Sequence, residues 1–226
     1  AQALYDSVLD VFRDRMLAAE LVRPGAVFSR PLSFVVQSLC DMVLATGEAR
    51  YRAALAETVE ALLGFARPQK DIAGGPSLVF VMGQGDQAVP YMDCHAAALL
   101  ALVRAVPLLP EALRDRAVAA VDGGLDAFSL ATVQVEFEGP KRQDVVAVDF
   151  ATPTGRRQLD GFWNFCAGLA LRAFRALHRS PDAGLQRVAA RHQGRMALLR
   201  TVMLLQIRES LRPRGQAVEV RTSVLS

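Results

Sequence analysis

A block of helix-spaced residues recurs along this chain, and that repetition limits its fold more than any other feature. His95–Val106 (HAAALLALVRAV) lies over Cys166–Leu177 (CAGLALRAFRAL) at a shift of 71, matching small residues at 96/167 and 97/168, apolar ones at 100/171, and Arg104 with Arg175. Val35–Thr46 (VVQSLCDMVLAT) fits more loosely at a shift of 60. Each copy is followed by a second amphipathic segment, at 48–66, 110–127 and 182–210. The unit is a helical hairpin of about 35 residues that cannot cover its own apolar face, so neighbouring units must stack into a solenoid or a ring.

Apolar periodicity predicts seven helices, over 3–22, 31–46, 48–66, 91–106, 110–127, 159–178 and 182–210. Breakers separate them: Arg23-Pro24-Gly25, Gly47, Pro68, the Gly-rich stretch 74–90, Pro107 with Pro110, and Ser180-Pro181-Asp182. Ser180-Pro181 offers a cap followed by proline at the start of the last helix. Two regions depart from helical spacing. Ser77–Met82 (SLVFVM) is a short β-branched run, and 132–137 with 144–150 flank a turn at Glu138–Gln143, reading as a β-hairpin insertion over about 131–150. The expected fold is mainly all-α, a single domain over 1–226 made of repeated antiparallel helical hairpins, with this small β-hairpin inserted.

The chain has 226 residues, of which 52% are hydrophobic and 22% charged, so it holds a real core and is no disordered polymer. Its formal net charge of +3 does not by itself argue for a nucleic-acid or membrane partner. The distribution is uneven: residues 1–155 carry 13 basic and 19 acidic side chains, and 156–226 carry 13 basic and 4 acidic. Only Lys70 and Lys141 are lysines, so the basic C-terminal third is arginine, fit either to clamp carboxylates or phosphates or to serve as a solvated helix face. Cys40, Cys94 and Cys166 lack paired spacing, which points away from a disulfide framework or a zinc site and toward a reducing, cytoplasmic setting. The longest apolar run, Ala96–Val103, is far shorter than the ~20 residues of a bilayer helix. No cofactor motif is present: Gly83-Gln84-Gly85-Asp86 lacks the Lys-Ser/Thr of a P-loop. The opening AQALYDS and the closing VEVRTSVLS read as cut ends, which predicts a fragment of a longer protein.

The long loops at 67–90 and 128–158 each precede the first helix of a pair, so they gather at one end of the array, where a cleft is expected. With Tyr91-Met-Asp-Cys-His-Ala-Ala-Ala-Leu-Leu-Ala-Leu, Ala45-Thr-Gly-Glu-Ala-Arg-Tyr51 and Asp160-Gly-Phe-Trp-Asn-Phe-Cys-Ala-Gly-Leu-Ala-Leu171, the pattern resembles the (α/α) toroids of carbohydrate-active proteins such as glycoside hydrolases, polysaccharide lyases and sugar epimerases. It covers most of 31–210. A complete ring of six units would need about 360 residues, so the resemblance implies an incomplete toroid or a short solenoid.

That resemblance implies a glycan-handling domain, its saccharide lying across the N-terminal ends of the helices at 91–106 and 159–178. Asp93, His95 and Asp160 are the acid–base candidates, the types suited to moving a proton on a sugar hydroxyl. Tyr91, Trp163, Asn164 and Asp86 would bind the ligand through an aromatic platform beside amide and carboxylate groups. Each has a plainer reading. Asp93 aligns with Asn164 and Ser33, residue types that cap helices; His95 aligns with Cys166 and Val35, as a packed first-turn histidine would; Trp163 suits a core. If the protein is an enzyme, it is a glycosidase, lyase or epimerase by resemblance. The alternative is a non-catalytic helical module of a larger enzyme, docking a partner or another domain of the same polypeptide through its arginine-rich C-terminal third.

Overall fold

A computed structural model describes residues 29–68, 77–82, 89–136, 142–150 and 163–210. The predicted helix at 3–22 and the candidates Asp86 and Asp160 lie outside them. Seven α-helices are described: α1 (Ser29–Thr46), α2 (Ala49–Leu63), α3 (Met92–Ala105), α4 (Glu111–Asp126), α5 (Trp163–Arg179), α6 (Ala183–Arg191) and α7 (Gln193–Ser210). Short strands β1 (Ala66–Pro68), β2 (Leu78–Met82) and β3 (Val89–Pro90) form one antiparallel sheet, and β4 (Phe128–Glu136) with β5 (Arg142–Phe150) form a hairpin. The mainly helical class read from the sequence holds.

Several boundaries move for physical reasons. Helix α1 starts two residues before the predicted 31 and takes Pro31 into its first turn, where an N–H would have no intrahelical partner anyway. The predicted 48–66 helix ends at Leu63. Beyond Gly64 the chain turns into β1, whose Ala66 and Pro68 pair with Phe80 and Leu78 of β2; the predicted helix overlaps this strand at Ala66 alone. The hairpin strands are longer than predicted: Gln143 and Arg142, assigned to the turn, pair with Val135 and Glu136, and the ladder runs back to Phe128↔Phe150. Asp182, not Ser180, caps α6 by accepting the Leu185 N–H (2.9 Å), while the Ser180 hydroxyl accepts the N–H of Asp182 (3.3 Å).

The predicted 182–210 helix is broken at His192, between α6 and α7. The break coincides with a set of contacts to α4. His192 is buried, and its Nε2 hydrogen-bonds the Asp122 carboxylate at 2.7 Å while Arg191 reaches the other oxygen of the same carboxylate at 2.7 Å. Arg195 then binds Asp126 (3.5 Å) and the carbonyls of Asp126 and Phe128, satisfying acceptors that the end of α4 leaves open. Two carboxylates one turn apart on α4 thus hold α6 and α7 against it.

Helices α1, α3 and α5 pack side by side, α3 in the middle, with α2, α4 and the α6–α7 pair packed as their partners. Two ion pairs fix the first interface. Arg30 pairs with Asp93 near the helix starts, and Asp41 pairs with Arg104 eleven residues further along both helices, each pair spanning 63 positions. Eleven residues make three turns, so both pairs lie on one face and the helices run parallel. The contacts between the two helices thus run at a separation of 63.

Helix α3 is buried from Asp93 through Val103, an environment that its unbroken apolar run requires. Its alanines let neighbours come close. A Cβ placed on Gly124 of α4 would stand 2.6 Å from Leu99 Cδ2 and 3.3 Å from His95 Cε1, so glycine there is the condition of the α3–α4 approach. The core gathers Leu32, Leu39, Leu55, Leu62, Leu99, Leu102, Leu125 and Leu177 with Phe65, Phe80 and Phe128.

Candidate functional site

The first turns of α1 and α3 meet over strand β2. Ser29 donates from Oγ to the Val81 carbonyl (3.1 Å), anchoring the start of α1 to the strand, and Ser33 donates to the Ser29 carbonyl (2.6 Å). Next to that anchor the Arg30 guanidinium, about one third exposed, holds the nearly buried Asp93 carboxylate. The other oxygen of Asp93 accepts the N–H of Cys94 at 2.8 Å. Asp93 is therefore neither the N-cap of α3, a position occupied by Tyr91, nor an unengaged acid: it is the anionic half of a bridge between two parallel helices.

His95 sits deeper. The Phe80 N–H donates to its Nδ1 (3.2 Å), which fixes the proton on Nε2, and Nε2 donates to the Gly124 carbonyl (2.9 Å). The ring also lies edge-on to Phe128, with 5.0 Å between centroids, and Phe128 lies edge-on to Phe174. Burial pushes the imidazole down to about 4, so it is neutral at physiological pH. With no exposed surface and both nitrogens on backbone partners, His95 ties β2, α3 and α4 together. This geometry is that of a packed first-turn histidine, with neither ring nitrogen turned toward solvent.

Helix α5 reaches the same place. Cys166, in its first turns, is buried close enough to Asp93 and Arg30 to feel their charges. Burial, the largest influence on each, pushes the Cys94 and Cys166 thiols up to about 12, and Cys40 likewise, so all three stay protonated and unreactive. Trp163 and Asn164 open α5 at this end; their side chains lie outside the described set. Tyr91 is half-buried directly before α3, and its carbonyl accepts the His95 N–H (3.0 Å). Among the described residues no group of His, Cys, Asp and Glu could hold a metal ion.

Two residues of this end escaped the sequence reading. Arg30 is one. Phe34 is the other, 43% exposed one turn further along α1, on the side opposite the buried Leu32, Leu39 and Val43. Arg30, Phe34, Gln37 and Asp41 share a face, and Asp93, Ala97, Leu100 and Arg104 occupy the matching positions of α3. Gly168 of α5, spaced from Arg175 as Ala97 is from Arg104, has open space where a side chain would stand. The signal that would have found Arg30 is the recurrence of opposite charges at one separation, 30 with 93 and 41 with 104.

Comparison with models of known protein families, with characterised proteins and with solved structures gave no match.

Proposed function

We propose that the protein binds a saccharide across the end where α1, α3 and α5 begin, as a module of helical hairpins arranged in an incomplete toroid or a short solenoid. The observation that supports this most is Phe34, an aromatic ring exposed on a helix face beside the Arg30–Asp93 pair. Sugar rings pack their C–H faces on aromatic surfaces and give their hydroxyls to charged hydrogen-bonding groups, and guanidinium, carboxylate and the Tyr91 phenol are such groups. Trp163 and Asn164, which open α5, and Asp86 and Asp160, which precede α3 and α5 in the sequence, are assigned to the same ligand. Binding rather than turnover is the reading adopted, because Asp93 and His95 are already committed within the fold.

Calorimetric titration with glucose-, galactose- and N-acetylglucosamine-based hexasaccharides tests it. The expected outcome is binding that falls by about tenfold in Phe34→Ala, the loss of one aromatic platform worth ~1.4 kcal/mol, with the melting temperature kept because Phe34 is exposed. Equal affinity of wild type and variant, or no binding of any of the three, contradicts the reading. Hydrolysis or elimination of a bound hexasaccharide would replace binding by turnover.

A further inference from the structure

We infer that the stripe Arg172, Arg175 and Arg179 on α5 is a docking surface for an acidic α-helix of a partner protein. The three arginines are exposed, stand three and four residues apart, and so line one side of the helix over about 10 Å. Elsewhere in the molecule arginines near the helix packing seams find carboxylates: Arg30 has Asp93, Arg104 has Asp41, Arg116 has Glu60, Arg191 has Asp122 and Arg195 has Asp126. Arg172, Arg175 and Arg179 pair with no carboxylate among the described residues. Helix α5 itself carries no acidic residue, and His178 adjoins the stripe.

Three like charges held in a row repel one another, no described carboxylate offsets that cost, and a partner's anions with the same spacing remove it. Asp or Glu side chains at i, i+3 and i+7 of a partner helix supply that spacing, and guanidinium forks take carboxylates in bidentate pairs. Nucleic acid fits less well. The stripe is one helix wide with no exposed aromatic ring on it for base stacking, since Phe174 is buried, and residues 1–155 carry a net negative charge that repels a long polyanion. The surface occupies the C-terminal half of α5, away from the proposed saccharide end, and does not depend on that reading.

The test uses fluorescence anisotropy of a labelled Ala-based helical peptide with Glu at i, i+3 and i+7, and its Gln counterpart. Expected are binding of the Glu peptide alone, weakening as salt is raised, and an affinity about tenfold lower in Arg172→Gln/Arg175→Gln/Arg179→Gln. Arg187→Gln/Arg200→Gln, which removes two other exposed arginines, should stay within about twofold of wild type. Circular dichroism and melting confirm that both variants fold. The inference is overturned by no binding of the Glu peptide, by equal losses in the two variants, or by an oligothymidine that binds more tightly than the peptide with the same arginine dependence. It is also overturned by salt-sensitive self-association lost in the triple variant, which would make the occupant a second copy of this chain.

Discussion

His95 couples folding to pH more directly than any other side chain described. Its imidazole is pushed down from 6.5 to about 4 by burial, so between those values the unfolded chain takes up a proton that the native protein refuses. Stability from this group is full above pH 6.5 and declines as the pH falls toward 4, by about 3 kcal/mol in all. Urea unfolding from pH 7 to 4 should therefore slope more steeply for wild type than for His95→Gln; parallel slopes would mean that His95 is not buried neutral. Two glycines predict opposite signs. Gly124→Ala gains up to about 1 kcal/mol of helix propensity but drives a methyl group into Leu99, itself 1% exposed, and overpacking of that kind costs about 1–3 kcal/mol. The clash outweighs the propensity, and a net loss of about 1–2 kcal/mol is expected. Gly168→Ala meets nothing within 4 Å and should raise stability by roughly 0.5–1 kcal/mol. Denaturant midpoints of the two variants moving the same way would contradict the packing described.

Between elements, the joint of α4 with α6 and α7 rests on Asp122 and Asp126. Asp122→Ala leaves the buried His192 Nε2–H without its acceptor and should lower unfolding free energy by about 1–3 kcal/mol, whereas Glu60→Ala, which breaks an exposed pair with Arg116, should cost under about 1 kcal/mol. Equal costs would show that the Asp122 joint is no more buried than a surface pair. This joint also marks the limit of what periodicity can say. The apolar spacing of 182–210 is continuous enough to read as one helix, and the partner that His192 meets at the break, Asp122, lies 70 residues away in the sequence. Strand β1 is similar: the helical spacing runs to Ala66, and pairing with β2 takes Ala66 into a strand with Arg67 and Pro68. Helices α3 and α4, by contrast, are legible almost to the residue, since α3 is apolar along most of its length and lies between Pro90 and Pro107, and α4 begins directly after Pro110. In the site, residue type alone does not show how Asp93 and His95 are engaged within the fold. Asp93 and His95 are ordinary acid–base residues until Arg30, Phe80 and Gly124 are brought to them, and all three lie far away in sequence.

At the scale of the molecule, α1, α3 and α5 form a row with the parallel α1–α3 pair locked at both ends by ion pairs, and with the first turns of all three close together. The row exposes Phe34 and the Arg30–Asp93 pair at one end and the α5 arginines toward the other, so a neutral or weakly charged ligand and an acidic partner would occupy different places on it. Among the described residues no helix is long and apolar enough to cross a membrane. The most direct test of the proposed site is residue-resolved NMR during titration with the hexasaccharide that binds most tightly by calorimetry. Amide shifts concentrated at Arg30, Phe34, Tyr91 and Asp93, with α6 and α7 unmoved, are the predicted result. Shifts confined to other surfaces, or an unchanged spectrum at saturating sugar, would contradict it.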